Sequence, residues 1–144
     1  MEKQRFQQSD AWIFTSMAFY QGEAGTSLRD LIATADYINH SIPNDDEIEG
    51  AINRLAGAGL VMVQEEHFHL TPAGRMVLRE FHQKEASLLQ IWELLEKHLD
   101  SAEFPELELP AFKLRPGQFR AAYNSYFDLI STNREKRTPK KKAA

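Results

Sequence analysis

The spacing of apolar residues predicts two helices in the first 40 residues. Residues 10–21 are apolar around most of the helical circumference, so we expect this first helix to be buried on more than one side by later parts of the chain. Ser9 is its expected N-cap. A second helix from residue 28 to about Asn39 has apolar side chains on one face, with Thr26 or Ser27 at its start.

A third helix and a hairpin follow Pro43. Asn44 and Glu47 have the spacing of a capping box, which predicts a helix start. The apolar face of this helix consists of Ile48, Ala51, Ile52 and Leu55, and Gly57 and Gly59 end it. From Leu60 the period changes to two, so Val61, Val63, Phe68 and Leu70 predict two short strands joined at Glu65-Glu66.

The next segment predicts a long amphipathic helix that begins at Thr71-Pro72 and runs to about Leu99. Six apolar residues mark its stripe: Leu78, Phe81, Leu88, Trp92, Leu95 and Leu99. Residues 83–85 are the expected place for a bend if there are two helices. The stripe could pack inside the chain or form a dimer seam, and its length favours the homodimer.

The C-terminal third predicts a connector, a last helix and a basic tail. Residues 103–118 contain three prolines and are expected to be extended, and Pro116 opens a helix that continues to Ile130. Residues 131–144 lack large apolar side chains and are rich in Lys and Arg, a composition typical of disorder. We therefore assign residues 83–130 to a helical, dimer-forming extension.

Composition and charge exclude several classes of protein. The chain has 144 residues and no cysteine, which excludes disulfide scaffolds, zinc fingers and thiol nucleophiles. No stretch is apolar enough for a signal core or a membrane span, so we expect a cytoplasmic protein with no membrane partner. The formal net charge of −4 hides an asymmetry, because residues 1–70 carry 4 basic and 11 acidic side chains while the cationic excess lies after residue 100.

No motif predicts catalysis or a cofactor. Gly-x-Gly-x-x-Gly, phosphate-loop, Gly-x-Ser-x-Gly and His-Glu-x-x-His patterns are all lacking from the sequence, so we expect no enzyme and no cofactor. His67 and His69 lie on one face of a predicted strand, where they could hold a metal ion or simply face solvent. No further ligand is marked by the sequence, so we assign no metal site.

The order of predicted elements and two motifs carry a family resemblance. The motifs are Ala58-Gly59-Leu60-Val61 at the exit of the third helix and Leu70-Thr71-Pro72-Ala73-Gly74-Arg75 after the hairpin. About residues 9–82 resemble the winged helix-turn-helix domain of bacterial MarR/PadR-like transcriptional regulators, and we assign residues 1–82 to this domain. The resemblance implies a mainly α fold with a small β-hairpin wing, and DNA binding through the third helix in the major groove.

The side chains on the predicted contact surface point to two different functions. Asn53 and Arg54 face outward and, with Arg75, are the candidate DNA contacts of a dimeric transcriptional regulator. The alternative is a non-enzymatic protein–protein interaction module. Its candidate docking residues are Asp46, Glu49, Glu65 and Glu66, because acidic side chains at the helix start and the wing tip oppose phosphate contact.

Overall fold

The computed structural model describes residues 5–19, 25–82 and 87–137, apart from the side chains at positions 19, 81, 82, 88 and 133–137. Over these residues the fold is mainly helical with a small antiparallel sheet. The elements are α1 (Gln8–Phe19), β1 (Thr26–Ser27), α2 (Leu28–Asn39), α3 (Asp45–Gly57), β2 (Val61–Gln64), β3 (His67–Leu70), α4 (Pro72–His82), α5 (Leu88–Ser101) and α6 (Gln118–Arg137).

Local capping explains where most of these helices begin. Ser27 accepts a hydrogen bond from the backbone N–H of Asp30, as the sequence predicts for the start of α2. The prediction of Ser9 as the cap of α1 is wrong, because the helix already begins at Gln8. There the Asp10 carboxylate, one turn inside the helix, accepts the backbone N–H of Gln7 at 2.9 Å.

The sheet has three strands in the order β1-β3-β2. The hairpin of β2 and β3 is confirmed, with Val61 paired to Leu70 and Gln64 to His67. The sequence analysis missed β1, which pairs Thr26 with Phe68. A strand of two residues is too short to show a period of two, so its pattern is hidden beside the N-cap of α2.

One hydrophobic core unites the predicted N-terminal domain with its extension. Helix α1 packs against α2, α3 and α5, which confirms that it is buried on more than one side. Ile91 and Leu95 of α5 are buried in the same cluster as Phe14 and Ile52. The extension therefore completes the core of the first 82 residues.

The continuous helix predicted from residue 72 to 99 is wrong. Helix α4 ends at His82, and Ser87 has an extended backbone that caps α5. Ser87 and Gln90 form a capping box of their own, with the Gln90 N–H at 3.2 Å from the Ser87 hydroxyl. The bend predicted at residues 83–85 lies outside the described residues.

After α5, residues 103–115 form neither helix nor strand, as the prolines of this segment predict. Helix α6 starts at Gln118 and continues to Arg137. Disorder from Ser131 onward is therefore wrong for residues 131–137, where helix formation extends at low cost and Lys and Arg suit the negative end of the helix dipole. Residues 138–144 lie outside the described part. Within that part, no helix is both long and apolar enough to cross a membrane.

Candidate functional site

The site is built around α3, the helix that the resemblance assigns to DNA reading. Its start is fixed by the predicted capping box, in which the Asn44 side chain accepts the Glu47 N–H at 2.8 Å and Glu47 accepts the Asn44 N–H at 3.0 Å. Asp45 and Asp46 are exposed in the first turn, where negative charge stabilises the helix dipole. The predicted core face is confirmed, with Ile48, Ala51, Ile52 and Leu55 all buried.

Arg54 is engaged within the molecule. Its Nε and Nη2 donate to the two carboxylate oxygens of Asp10 at 2.7 and 2.8 Å, a bidentate arrangement. Asp10 has 0% of its surface exposed, so this carboxylate depends on Arg54 for charge compensation. Gly50 leaves room for the pair, since a Cβ there would lie 2.8 Å from Arg54 Nη2. The predicted base or phosphate contact is thus part of the α1–α3 packing.

Asn53 is engaged by the connecting segment, the name used below for residues 103–115. Its side-chain amide donates to the Phe112 carbonyl at 2.9 Å and accepts the Phe112 N–H at 2.7 Å. One turn earlier, Glu49 accepts the Leu114 N–H at 2.8 Å. The connecting segment therefore runs antiparallel to α3 along the face that was predicted to point outward.

The hairpin tip meets the other end of the same segment. Glu65 and Glu66 have φ angles of 51° and 63°, as in a two-residue type I′ turn. Glu66 forms an ion pair with Arg115, and the rings of Phe68 and Phe112 meet edge to face at 5.6 Å. Of the four predicted docking residues, Glu49 and Glu66 thus have internal partners, and Asp46 and Glu65 are exposed.

Arg75, the third predicted DNA contact, lies on α4, whereas Asn53 and Arg54 lie on α3. It is exposed on the first turns of α4. Close packing requires a glycine at the neighbouring position 74, because a Cβ there would collide with the backbone carbonyl of Leu60. The Gly74 N–H also donates to the Thr71 hydroxyl. The motif at residues 70–75 therefore fixes how α4 leaves the sheet.

Most side chains of the predicted dimer seam lie inside the chain itself. Leu78, Leu95 and Leu99 are buried in the core, and Trp92 is half-buried and stacks on Trp12 at 6.1 Å. The side chains of Phe81 and Leu88 are outside the described part. The intramolecular alternative accounts for the buried leucines, because α5 is short enough to lie against α1 once the helix breaks before Ser87.

Titratable side chains gather into no metal-binding group among the described residues. His67 lies with Nδ1 at 2.9 Å from the Glu65 carbonyl oxygen, a contact within the hairpin turn. Tyr126 on α6 hydrogen-bonds the carboxylate of Asp36 on α2 at 2.6 Å. Burial, that hydrogen bond and the negative charge of Asp36 together raise the pKa of Tyr126 to about 12.

Sequence reasoning missed Asp10 and the polar backbone of the connecting segment. Nothing local in the sequence relates Asp10 to Arg54, 44 positions away. Phe112 and Leu114 contact α3 mainly through backbone N–H and C=O groups, which every residue carries. No residue type therefore marks them in advance.

Comparisons with protein-family models, with curated proteins and with solved structures found no match. The function is therefore inferred from the motifs in residues 44–75 and from the contacts of α3.

Proposed function

We propose that the chain is a winged-helix protein that acts without catalysis by docking another protein on its acidic face. The acidic face is defined here as the first turn of α3 with the hairpin tip, including Asp45, Asp46, Glu65 and Glu66. The observation that carries the proposal is that Asn53 and Arg54 are both engaged within the chain while Asp45 and Asp46 are exposed.

The winged-helix assignment is supported by element order and by the roles of motif residues. Helices α2 and α3 are followed by the β2–β3 hairpin and then by α4, the order of a helix-turn-helix with one wing. Thr71 caps α4 through the Gly74 N–H and also donates to the Gly59 carbonyl. The two motifs of the family resemblance thus meet at one point between the sheet and α4.

DNA binding through α3, the function of a transcriptional regulator, is the competing candidate. It would require Arg54 to leave a buried carboxylate and the connecting segment to leave Asn53. It would also bring exposed carboxylates at the helix start toward phosphates, whose contacts with Lys and Arg supply most non-specific affinity. Both requirements oppose DNA, and the same negative surface favours a basic region on a protein partner.

Two binding measurements test the proposal together. Any salt-sensitive binding of mixed-sequence duplex DNA that fluorescence anisotropy detects should be unchanged by Arg54→Ala, because α3 offers no cationic surface and the cationic excess lies after residue 100. Cross-linking in cell lysate should capture a protein partner, and the double variant Asp46→Lys/Glu65→Lys should reduce that capture. Glu93→Lys, at an exposed acid on α5, is the matched control. Salt-sensitive DNA binding that Arg54→Ala weakens, with capture unaffected by the double variant, would overturn the proposal.

A further inference from the structure

An open apolar cleft of about 700 Å³ lies between α3, β2 and the connecting segment. Its floor is formed by Ile52, Ala56, Val61 and Val63, and its outer wall by Leu107, Leu109 and Phe112. Met62 and Leu109 are 46% and 55% exposed, although both are large apolar side chains. Apolar surface of this kind beside polar residues is typical of a binding site.

The cleft follows from the distances between the points where the connecting segment is held. Leu107 N–H bonds the Gly57 carbonyl and Phe112 bonds Asn53, two sites on α3 only about 6 Å apart along the helix axis. Five extended residues span up to about 17 Å, so residues 107–112 are longer than the distance between these two sites, and the cleft lies beside this part of the segment. Between Phe112 and Leu114 the two lengths match at about 6–7 Å, and there the segment lies against the helix.

An unpaired strand edge faces the same cleft. Next to the two-residue turn, Gln64 and His67 form a hydrogen-bonded pair of the β2–β3 ladder. At the other end of the ladder, the Thr71 N–H donates to the Leu60 carbonyl, so Met62 and His69 between them also form a hydrogen-bonded pair. The backbone groups of Val61 and Val63 therefore point away from β3, because the bonded pairs alternate along an antiparallel ladder. The structure describes no hydrogen-bond partner for them on that side, and β2 is the outer strand of the sheet.

Negative charge lies beside the leucines of the cleft wall. Glu106 and Glu108 are exposed, and they alternate with Leu107 and Leu109, which line the cleft. On α3 the basic residue Arg54 is paired with Asp10, and in the connecting segment Lys113 and Arg115 follow Phe112 at the far end of the cleft. Arg5 donates to the carbonyls of Phe104 and Pro105. A segment that enters this cleft is therefore favoured if it carries positive charge.

We propose that the cleft binds an extended peptide segment of a partner, with alternating apolar and basic side chains, as a fourth strand beside Val61 and Val63. Main-chain hydrogen bonds to the β2 edge hold it, its apolar side chains enter the cleft, and its Lys or Arg side chains face Glu106 and Glu108. This inference rests on the proposed protein-docking function and specifies the part of the surface used.

A titration of the full chain by two-dimensional NMR tests the inference. The probe is a short capped peptide of alternating lysine and valine, and the amide signals of Val61 and Val63 should shift on its addition. The same peptide with two main-chain nitrogens methylated should bind about tenfold more weakly, because it loses two main-chain hydrogen bonds. A glutamate–valine peptide should bind more weakly still.

Two variants separate this inference from the proposed function. Glu106→Lys/Glu108→Lys should weaken the lysine–valine peptide about tenfold, and Glu93→Lys should leave it unchanged. Shifts confined to Asp46 and Glu65, with none at Val61 or Val63, would overturn the cleft as the docking site and leave the acidic face as the docking surface. Equal binding of the methylated peptide would also overturn strand addition. Binding of the peptide nowhere on α3, β2 or the hairpin tip would contradict both proposals.

Discussion

At the scale of single residues, the Asp10–Arg54 pair decides what α3 can offer to a partner. The carboxylate is fully buried and the guanidinium spans both of its oxygens. Removal of one member of a buried pair leaves the other charge without compensation, and this costs more than the pair itself contributes. This contact holds α1 against α3, and it also occupies the Arg54 guanidinium, which is then not available to a ligand.

Arg54→Ala should lower the free energy of unfolding by about 3 kcal/mol, because Asp10 then remains buried without its cation. Urea denaturation followed by tryptophan fluorescence measures the change. Arg75→Ala removes an exposed arginine and should change stability by less than about 0.5 kcal/mol. Equal effects of the two substitutions would show that the pair contributes nothing to folding.

Because the pKa of Tyr126 is raised in the folded chain, we expect the free energy of unfolding to fall at alkaline pH. This pKa is raised from the ordinary tyrosine value of 10.0 to about 12, first by burial and then by the hydrogen bond and charge of Asp36. Between pH 10 and about 12 the unfolded chain loses this proton and the folded chain keeps it, so rising pH favours unfolding. The stabilisation is fully present below pH 10.

Denaturation curves at pH 9 and pH 11 should therefore differ less for Tyr126→Phe than for the unchanged chain. Tyr123→Phe makes the same change one turn away on α6 and should retain the wild-type pH dependence. At neutral pH Tyr126→Phe should cost about 1 kcal/mol through loss of the bond to Asp36. An unaltered pH dependence in Tyr126→Phe would contradict this assignment.

At the scale of elements, α5 distinguishes core packing from a dimer seam. Leu95 is fully buried against the rest of the chain, whereas Leu89 on the same helix is 51% exposed. Leu95→Ala should lower the free energy of unfolding by about 2–5 kcal/mol and leave the sedimentation coefficient unchanged. Leu89→Ala is the matched control, with an expected effect below about 0.5 kcal/mol. If the Leu95→Ala chain sediments as a smaller species and its free energy of unfolding is unaltered, Leu95 lies in a dimer interface and the core assignment is contradicted.

The elements that sequence reasoning predicted well are those whose signals are local. The Asn44–Glu47 capping box and the alternation around Glu65-Glu66 each lie within a few residues, and both are confirmed. The break before α5 also had a local signal, since Ser87 and Gln90 form a capping box. The apolar stripe on both sides of residues 83–86 keeps helical spacing, however, and this favours one continuous helix.

At the scale of the whole molecule, the contacts that define the site join distant parts of the chain. Asn53 and Phe112 are 59 positions apart. The face of α3 that was predicted to point outward does point away from the core, but the connecting segment covers it. Helical periodicity gives the side of a helix that faces the core, but it does not give which other segment covers the opposite side. For this reason a mainly helical fold with a small β-hairpin was accessible from the sequence, and the contacts of Asn53 and Arg54 were not.

Hydrogen exchange at the Phe112 and Leu114 amides tests most directly whether the connecting segment stays on α3. Both N–H groups donate to α3 side chains, at 2.7 Å to Asn53 and 2.8 Å to Glu49. We predict that both amides exchange more slowly than in the unfolded chain, and that excess duplex DNA leaves their rates unchanged. Loss of protection at both amides on addition of DNA would contradict the account, since it would mean that the segment leaves α3 to expose a DNA-reading surface.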